Sequence, residues 1–259
     1  MATRLHRIDS EDEPAASSQS MRAQLQLREM LVGGELRPGE RITELAMVEQ
    51  LAMSRTPIRT ALVRLQEEGL LEALPGGGFV VREFSEDDIH DAIELRGTLE
   101  GLAARLAAER GASNSVLAQL RDCLAAIDGL LAQPKLSERG FAHYAEHNGR
   151  FHALLAEASG SALVQRQIER VITLPFASPN GFVMVDRGGP QARDRLVIAH
   201  EQHRAIVEAI ARREGARAQS LALEHARNAQ RNLADVLGNQ RSLRQVPGAP
   251  LIRRRAGAR

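Results

Sequence analysis

Apolar positions along the chain fall into two rhythms. From Gln19 the spacing of Leu25, Leu27, Met30 and Leu31 predicts a helix that stops at Gly33-Gly34. After the turn Leu36-Arg37-Pro38-Gly39-Glu40, Leu45, Val48 and Leu51 mark one face of a short helix from about Glu44 to Leu51. A third helix carries Ile58, Leu62 and Leu65 and ends at Gly69. The period then changes. Leu70-Leu71 and Phe79-Val80-Val81 read as extended segments around Pro75-Gly76-Gly77-Gly78, which is the pattern of a β-hairpin. Three short helices followed by a hairpin predict a winged helix-turn-helix over 19–82.

Past Arg82 the helical period returns and does not break into strands. Ser85, followed three residues later by Asp88, begins a capping-box-like start to a helix reaching about Arg110. Further helices are predicted at Ser113–Gln133, Glu138–Ala158, Ala162–Thr173, Gln191–Arg213 and Ala216–Leu237. Three Pro and three Gly between Leu174 and Pro190 predict a loop or a broken helix. The fold class is thus mostly α, with a second domain over 85–238 expected as an antiparallel helical bundle. Residues 1–18, polar and acidic, read as a flexible arm, and 239–259, rich in Pro, Gly and Arg, as a disordered basic tail.

Composition agrees with helix: six Phe, one Tyr and no Trp among 43% hydrophobic residues leave the apolar content to Ala and Leu. The net charge of +1 hides an asymmetry, because six arginines and no acid lie in 240–259. The first 239 residues therefore hold 28 basic against 33 acidic side chains. A diffuse basic surface is excluded, and any contact with DNA must come from a local arginine cluster. Cys123 is the only cysteine, so no intrachain disulfide forms, which fits a reducing cytoplasm. No run approaches the roughly 20 apolar residues of a membrane span, and no secretory signal is evident.

The local cluster is Ser54-Arg55-Thr56-Pro57-Ile58-Arg59, continuing to Arg64 without an acid before Glu67. Ser54 can cap the helix, and Pro57 is tolerated in a first turn whose N–H groups have no intrahelical acceptor. Arg55 and Arg59, four apart, share one face opposite the Ile58/Leu62/Leu65 stripe. In a major groove such arginines can bond guanine O6 and N7 bidentately, while Ser and Thr hold phosphate. A solvated helix face would carry the same residues. The preceding short helix, the tight turn and the Gly-rich hairpin favour DNA.

In the second domain Asn148 and His152 lie one turn apart. If Arg213-Glu214-Gly215 is the turn between two antiparallel helices, His203 and His225 each stand 11 residues from Glu214 and meet at one height. Three imidazoles and one oxygen suit Zn, Ni or Mn, although eight histidines make coincidence easy. Arg96 could fork a carboxylate ligand or pair with a nearby Glu, and His200 lies one turn before His203. A metalloenzyme is the competing class, but no HExxH or comparable signature occurs. A regulator sensing the metal ion itself is the third reading.

The segment Leu36-Arg37-Pro38-Gly39-Glu40-Arg41-Ile42, then Glu44-Leu45-Ala46, then Ser54-Arg55-Thr56-Pro57-Ile58-Arg59 and Leu65 to Gly69-Leu70 resembles the winged helix of the GntR family of bacterial transcription regulators. The resemblance runs from about residue 20 to 238. It implies base contacts by Arg55 and Arg59, phosphate contacts by Ser54 and Thr56, and a minor-groove contact by the wing tip around Gly77. The second domain resembles the FCD-type sensor domain of the FadR subfamily, which implies a divalent metal at Asn148, His152, His203 and His225. It also implies a homodimer on a palindromic double-stranded operator, usually a repressor released by a small carboxylate; Arg96, as a carboxylate fork, and His200, from its position beside His203, are the expected effector-binding residues. Leu174 to Pro179 and Ala199 to His203 are similar to the vanillate-responsive, VanR-type branch. The chain departs from the pattern at Thr60, where Glu is usual, at Ala52-Met53, where Gly-Val is usual, and at Leu45, where some members carry Arg. Asn148 stands in place of the usual Asp.

Overall fold

The computed structural model describes residues 13–174, 176–181, 192–239 and 243–253, without the side chains of 13–17 and 235. Most of the expected arm, much of the loop before Pro190 and parts of the basic tail thus lie outside the described residues. The chain divides into two compact units, with the boundary between Glu83 and Phe84.

In the first unit, α1 (Glu13–Gly33) starts earlier than the apolar pattern predicts and packs Ala23, Leu27 and Leu31 against α3 (Arg55–Glu67). Between them lies α2 (Glu44–Leu51), capped by Thr43, whose Oγ1 accepts from the Ala46 N–H at 3.2 Å. Ile58, Ala61, Leu62 and Leu65 of α3 are fully buried, as their spacing requires. β2 (Leu71–Ala73) and β3 (Phe79–Val81) form the expected antiparallel hairpin, pairing Leu71 with Val81 and Ala73 with Phe79. A strand too short for any pattern to reveal, β1 (Arg41–Ile42), pairs with β3 on its other edge, giving the sheet order β1-β3-β2. Gly77 and Gly78 at the hairpin turn have φ of +84° and +83°. A Cβ on Gly78 would also stand 2.8 Å from the Ile42 carbonyl oxygen, so glycine is required there.

The second unit is helical: α4 (Glu86–Arg110), α5 (Asn114–Leu131), α6 (Glu138–Ala158), α7 (Ala162–Val171), α8 (Ala192–Ala211) and α9 (Gly215–Leu237). Ser85 and Asp88 form the reciprocal capping box at the start of α4, with Oγ accepting at 3.1 Å and the carboxylate accepting at 2.8 Å. α4 lies along α9, where Gly97 and Gly101 let the backbones approach. α8 and α9 pack together across a turn at Arg213, so the antiparallel pair inferred from the turn residues is present. The main core gathers Leu120, Cys123, Phe151, Leu155, Ile206 and Ile210. No described helix is long and apolar enough to cross a membrane.

The expectation of a disordered tail from 239 does not hold for residues 243–253. Val246, Leu251 and Ile252 are buried, and a 3-10 turn runs over Ala249–Leu251. The Phe84 N–H donates to the Leu251 carbonyl and the Arg253 N–H to the Phe84 carbonyl, each at 2.8 Å. Apolar burial outweighs the Pro/Gly composition that suggested disorder.

Candidate DNA interface and candidate metal centre

Ser54, Arg55, Thr56 and Arg59 are all exposed around the first turns of α3, while Pro57 and Ile58 between them are buried. Ser54 is the N-cap residue by position, but its side chain makes no capping hydrogen bond. The capping role expected of it is therefore absent, and its hydroxyl is not committed to the helix end. Arg59 Nε lies 3.7 Å from Glu44 Oε1 on α2, an exposed pair of small worth that a phosphate or base could displace. Arg64 behaves differently from the other two arginines. Its Nη1 donates to Gln24 Oε1 at 3.3 Å, tying α3 to α1, so it belongs to the scaffold. Gly77 is exposed at the hairpin tip, where its carbonyl accepts from Arg41 Nη2 at 2.9 Å and so stiffens the wing.

In the second unit α6, α8 and α9 bring His152, His203 and His225 together, with one ligand-capable nitrogen of each within 4.8 Å of the others. His203 Nε2 stands 3.0 Å from His225 Nε2, which is 3.4 Å from His152 Nε2. The register deduced from the turn at 214 is thus met in space. Two neighbours orient these rings. His152 Nδ1 contacts Glu100 Oε1 at 2.8 Å, and His225 Nδ1 contacts Gln202 Oε1 at 3.1 Å. Acceptors at Nδ1 place the proton there and turn both Nε2 lone pairs toward each other. Two lone pairs facing at this distance repel unless a cation lies between them. Nitrogens bound to a tetrahedral metal at about 2.0–2.1 Å stand about 3.3 Å apart. The residues present therefore fit a divalent ion.

Electrostatics agree with neutral rings at His203 and His225. Burial, with His225 and His152 beside it, pushes His203 well below the usual histidine range. His225 is lowered to about 3, first by burial and then by His152. Burial alone would raise the Glu100 carboxyl, but His152 and Arg96 together hold it down at about 2. Glu100 is the residue that the sequence reading missed. In sequence it is one acid on a helix with many, and only its place one turn after Arg96 sets it apart.

Asn148 is buried on α6, and its amide nitrogen is held by hydrogen bonds to the loop at 178–181. Its Nδ2 donates to Asn180 Oδ1 at 2.8 Å and to the Pro179 carbonyl at 3.5 Å. The expected fourth ligand is thus anchored to that loop through its nitrogen, and its oxygen, the atom that would ligate a metal, takes part in neither bond. Arg96 is also buried, and its Nε has no hydrogen-bond partner among the described residues. No described carboxylate lies within 4.0 Å of it, but its charge acts on Glu100, so the partnership with a Glu considered for it is present at longer range. His200 Nε2 contacts Asp128 Oδ1 at 2.8 Å, Asp128 is also paired with Arg204, and the buried His200 Nδ1 has no partner among the described residues.

A winged helix with exposed arginines, followed by a helical domain with a buried polar cluster, defines a DNA-binding regulator of the ligand-sensing class. Residues 19–81 match the model of the bacterial regulatory proteins, gntR family, and residues 91–228 match the FCD domain. The chain belongs to the gntR family and carries an FCD effector-binding domain. Among relatives, the Nta operon transcriptional regulator of Aminobacter aminovorans is 45% identical over 95 residues, which are 37% of this chain and 45% of that protein. The HTH-type transcriptional regulator LutR of Bacillus subtilis is 27% identical, over 77% of this chain and 94% of LutR. The solved structure of E. coli McbR/YncC has the same fold, with a TM-score of 0.56 at 22% identity, covering 84% of this chain and 96% of that one.

Proposed function

We propose that the chain is a cytoplasmic, homodimeric repressor that leaves a palindromic operator when a small carboxylate fills the pocket of its helical domain. Ser54, Arg55, Thr56 and Arg59 hold the DNA, with Gly77 at the wing tip. His152, His203 and His225 hold a divalent ion such as Zn, Ni or Mn. When bound, that ion supplies a Lewis-acidic anchor for an anionic oxygen. Arg96 offers a guanidinium fork to the same carboxylate, and His200, oriented by Asp128, offers a further polar contact. With Asn148 neutral and drawn toward Asn180, the protein contributes no anionic ligand of its own at that position, which favours an anionic effector.

The single observation that carries this reading is the convergence of three buried imidazole nitrogens, beside a buried arginine whose Nε is unpartnered. Thermal-shift titration with carboxylates tests it, aromatic acids such as vanillate first, with and without added Zn2+. Stabilisation by an acid only in the presence of metal is expected. Equal shifts from the acid in wild type and in His203→Ala would contradict the pocket as drawn. A second reading, in which the ion itself is the signal, draws on the three-histidine set being complete without any effector group. It predicts that Zn2+ alone changes operator affinity.

A further inference from the structure

Asn148, on α6 one turn before His152, and the domain boundary are joined by a set of contacts through the loop at 176–181. Asn180 Nδ2 donates to the Ala145 carbonyl at 2.8 Å while its Oδ1 accepts from Asn148, so the loop at 176–181 is latched to α6. Gly149 makes room for that latch, since a Cβ there would stand 3.2 Å from Asn180 Nδ2. At the other end of the loop Phe176, held at φ +68°, is buried edge-on against Phe84, with ring centroids 6.1 Å apart at 74°. The segment 246–253 closes the set. A Cβ on Gly248 would lie 3.3 Å from the Phe176 ring, so the strap runs hard against it, and Leu251 to Arg253 pair with the Phe84 backbone on both its N–H and its carbonyl. Phe84 is the first residue of the second unit, three residues after β3.

We infer that residues 246–253 are a strap whose work is to relay the state of the Asn148–Asn180 latch to Phe84, the point where the sensing domain takes hold of the chain leaving the wing. Phe176 is the positioning residue of that relay. It touches both the strap and Phe84, and its left-handed backbone persists because its ring is buried between them. The relay acts whatever ligand the pocket takes. It rests on the sensor reading only for what would pull on the latch.

Amide hydrogen exchange on the full chain tests this without a ligand, because the Phe84 and Arg253 N–H groups are the reporters. Asn180→Ala cuts the latch. It is expected to speed exchange at Phe84 and Arg253 about tenfold or more, while amides in α5 stay as in wild type. Arg253→Pro removes one donor at the far end, and Ile252, at φ −87° and ψ 119°, already has the backbone a residue before proline requires. By reciprocity this variant is expected to speed exchange of the Gly181 amide, which donates to the Ser178 carbonyl at 2.9 Å. In a Phe176→Ala background each change is expected to lose its distant effect and keep its local one. Unchanged exchange at Phe84 in Asn180→Ala overturns the relay, and so does an equal acceleration everywhere, which would mean global loosening. If metal and carboxylate binding fail while these couplings are found, the effector reading is lost and the strap stands.

Discussion

Arg55 and Arg64 are nine residues apart on one helix and look alike in sequence, yet one is exposed at the helix start and the other is spent on Gln24. Replacing Arg55 with Ala is expected to cost roughly 1–3 kcal/mol of specific binding and to relax preference at one base pair. Replacing Arg64 is expected to act through the fold instead. Fluorescence anisotropy on matched duplexes separates the two, and an Arg55→Ala variant with full affinity and selectivity would remove that residue from the interface. Glu100 permits an equally sharp statement. It contacts the Nδ1 edge of His152, so on the proposed metal centre Glu100→Gln is expected to weaken Zn2+ binding about 10- to 100-fold, as read by competition with a chelator. Unaltered affinity would show that the contact does not tune the site. Cys123 is buried and its thiol is raised by that burial, against the opposing pull of Arg150. Labelling by a thiol reagent is accordingly expected to be slow in the native chain and fast in denaturant.

At the scale of elements, periodicity carried most of the fold. The ends of α6 follow from the apolar spacing, and those of α5, α7, α8 and α9 fall within a few residues of it, because each helix buries one stripe and is stopped by caps and turns that the sequence displays. The facing of His203 and His225 was legible for the same reason, since equal spacing from one turn fixes equal height on two antiparallel helices. What was hidden depends on contacts between distant segments. β1 is two residues long and exists only because β3 accepts it. The latch at Asn180 and the burial of Leu251 have no periodic signal, and a Pro/Gly-rich stretch with three buried apolar residues looks disordered until its partners are known. Packing of α4 on α9 gives a further test. A Cβ on Gly97 would fall 2.6 Å from the Ala226 Cβ, so Gly97→Ala is expected to destabilise by roughly 1–3 kcal/mol. A melting temperature equal to wild type would mean that the two helices are free to part.

For the whole molecule, the buried histidines link stability to pH. His225 has a folded-state value of about 3 against an ordinary 6.5, so in the metal-free chain the unfolded state binds the proton more readily. This contribution is complete above about pH 6.5 and is lost as pH falls from there toward 3. Denaturant midpoints are therefore expected to fall between pH 7.5 and pH 5, and His225→Gln to flatten that slope. A midpoint independent of pH in the stripped wild-type protein would contradict a buried, neutral His225. Regulation by this chain depends on α3 gripping duplex DNA through its exposed arginines. The most direct measurement is titration of the purified chain with the duplex upstream of its own gene and with a scrambled duplex of equal length, beside the Arg55→Ala/Arg59→Ala double variant. Wild type is expected to prefer the upstream duplex by about a thousandfold or more, and the double variant to lose most of that preference. Equal binding of both duplexes by wild type, or an unchanged preference in the double variant, would contradict the account.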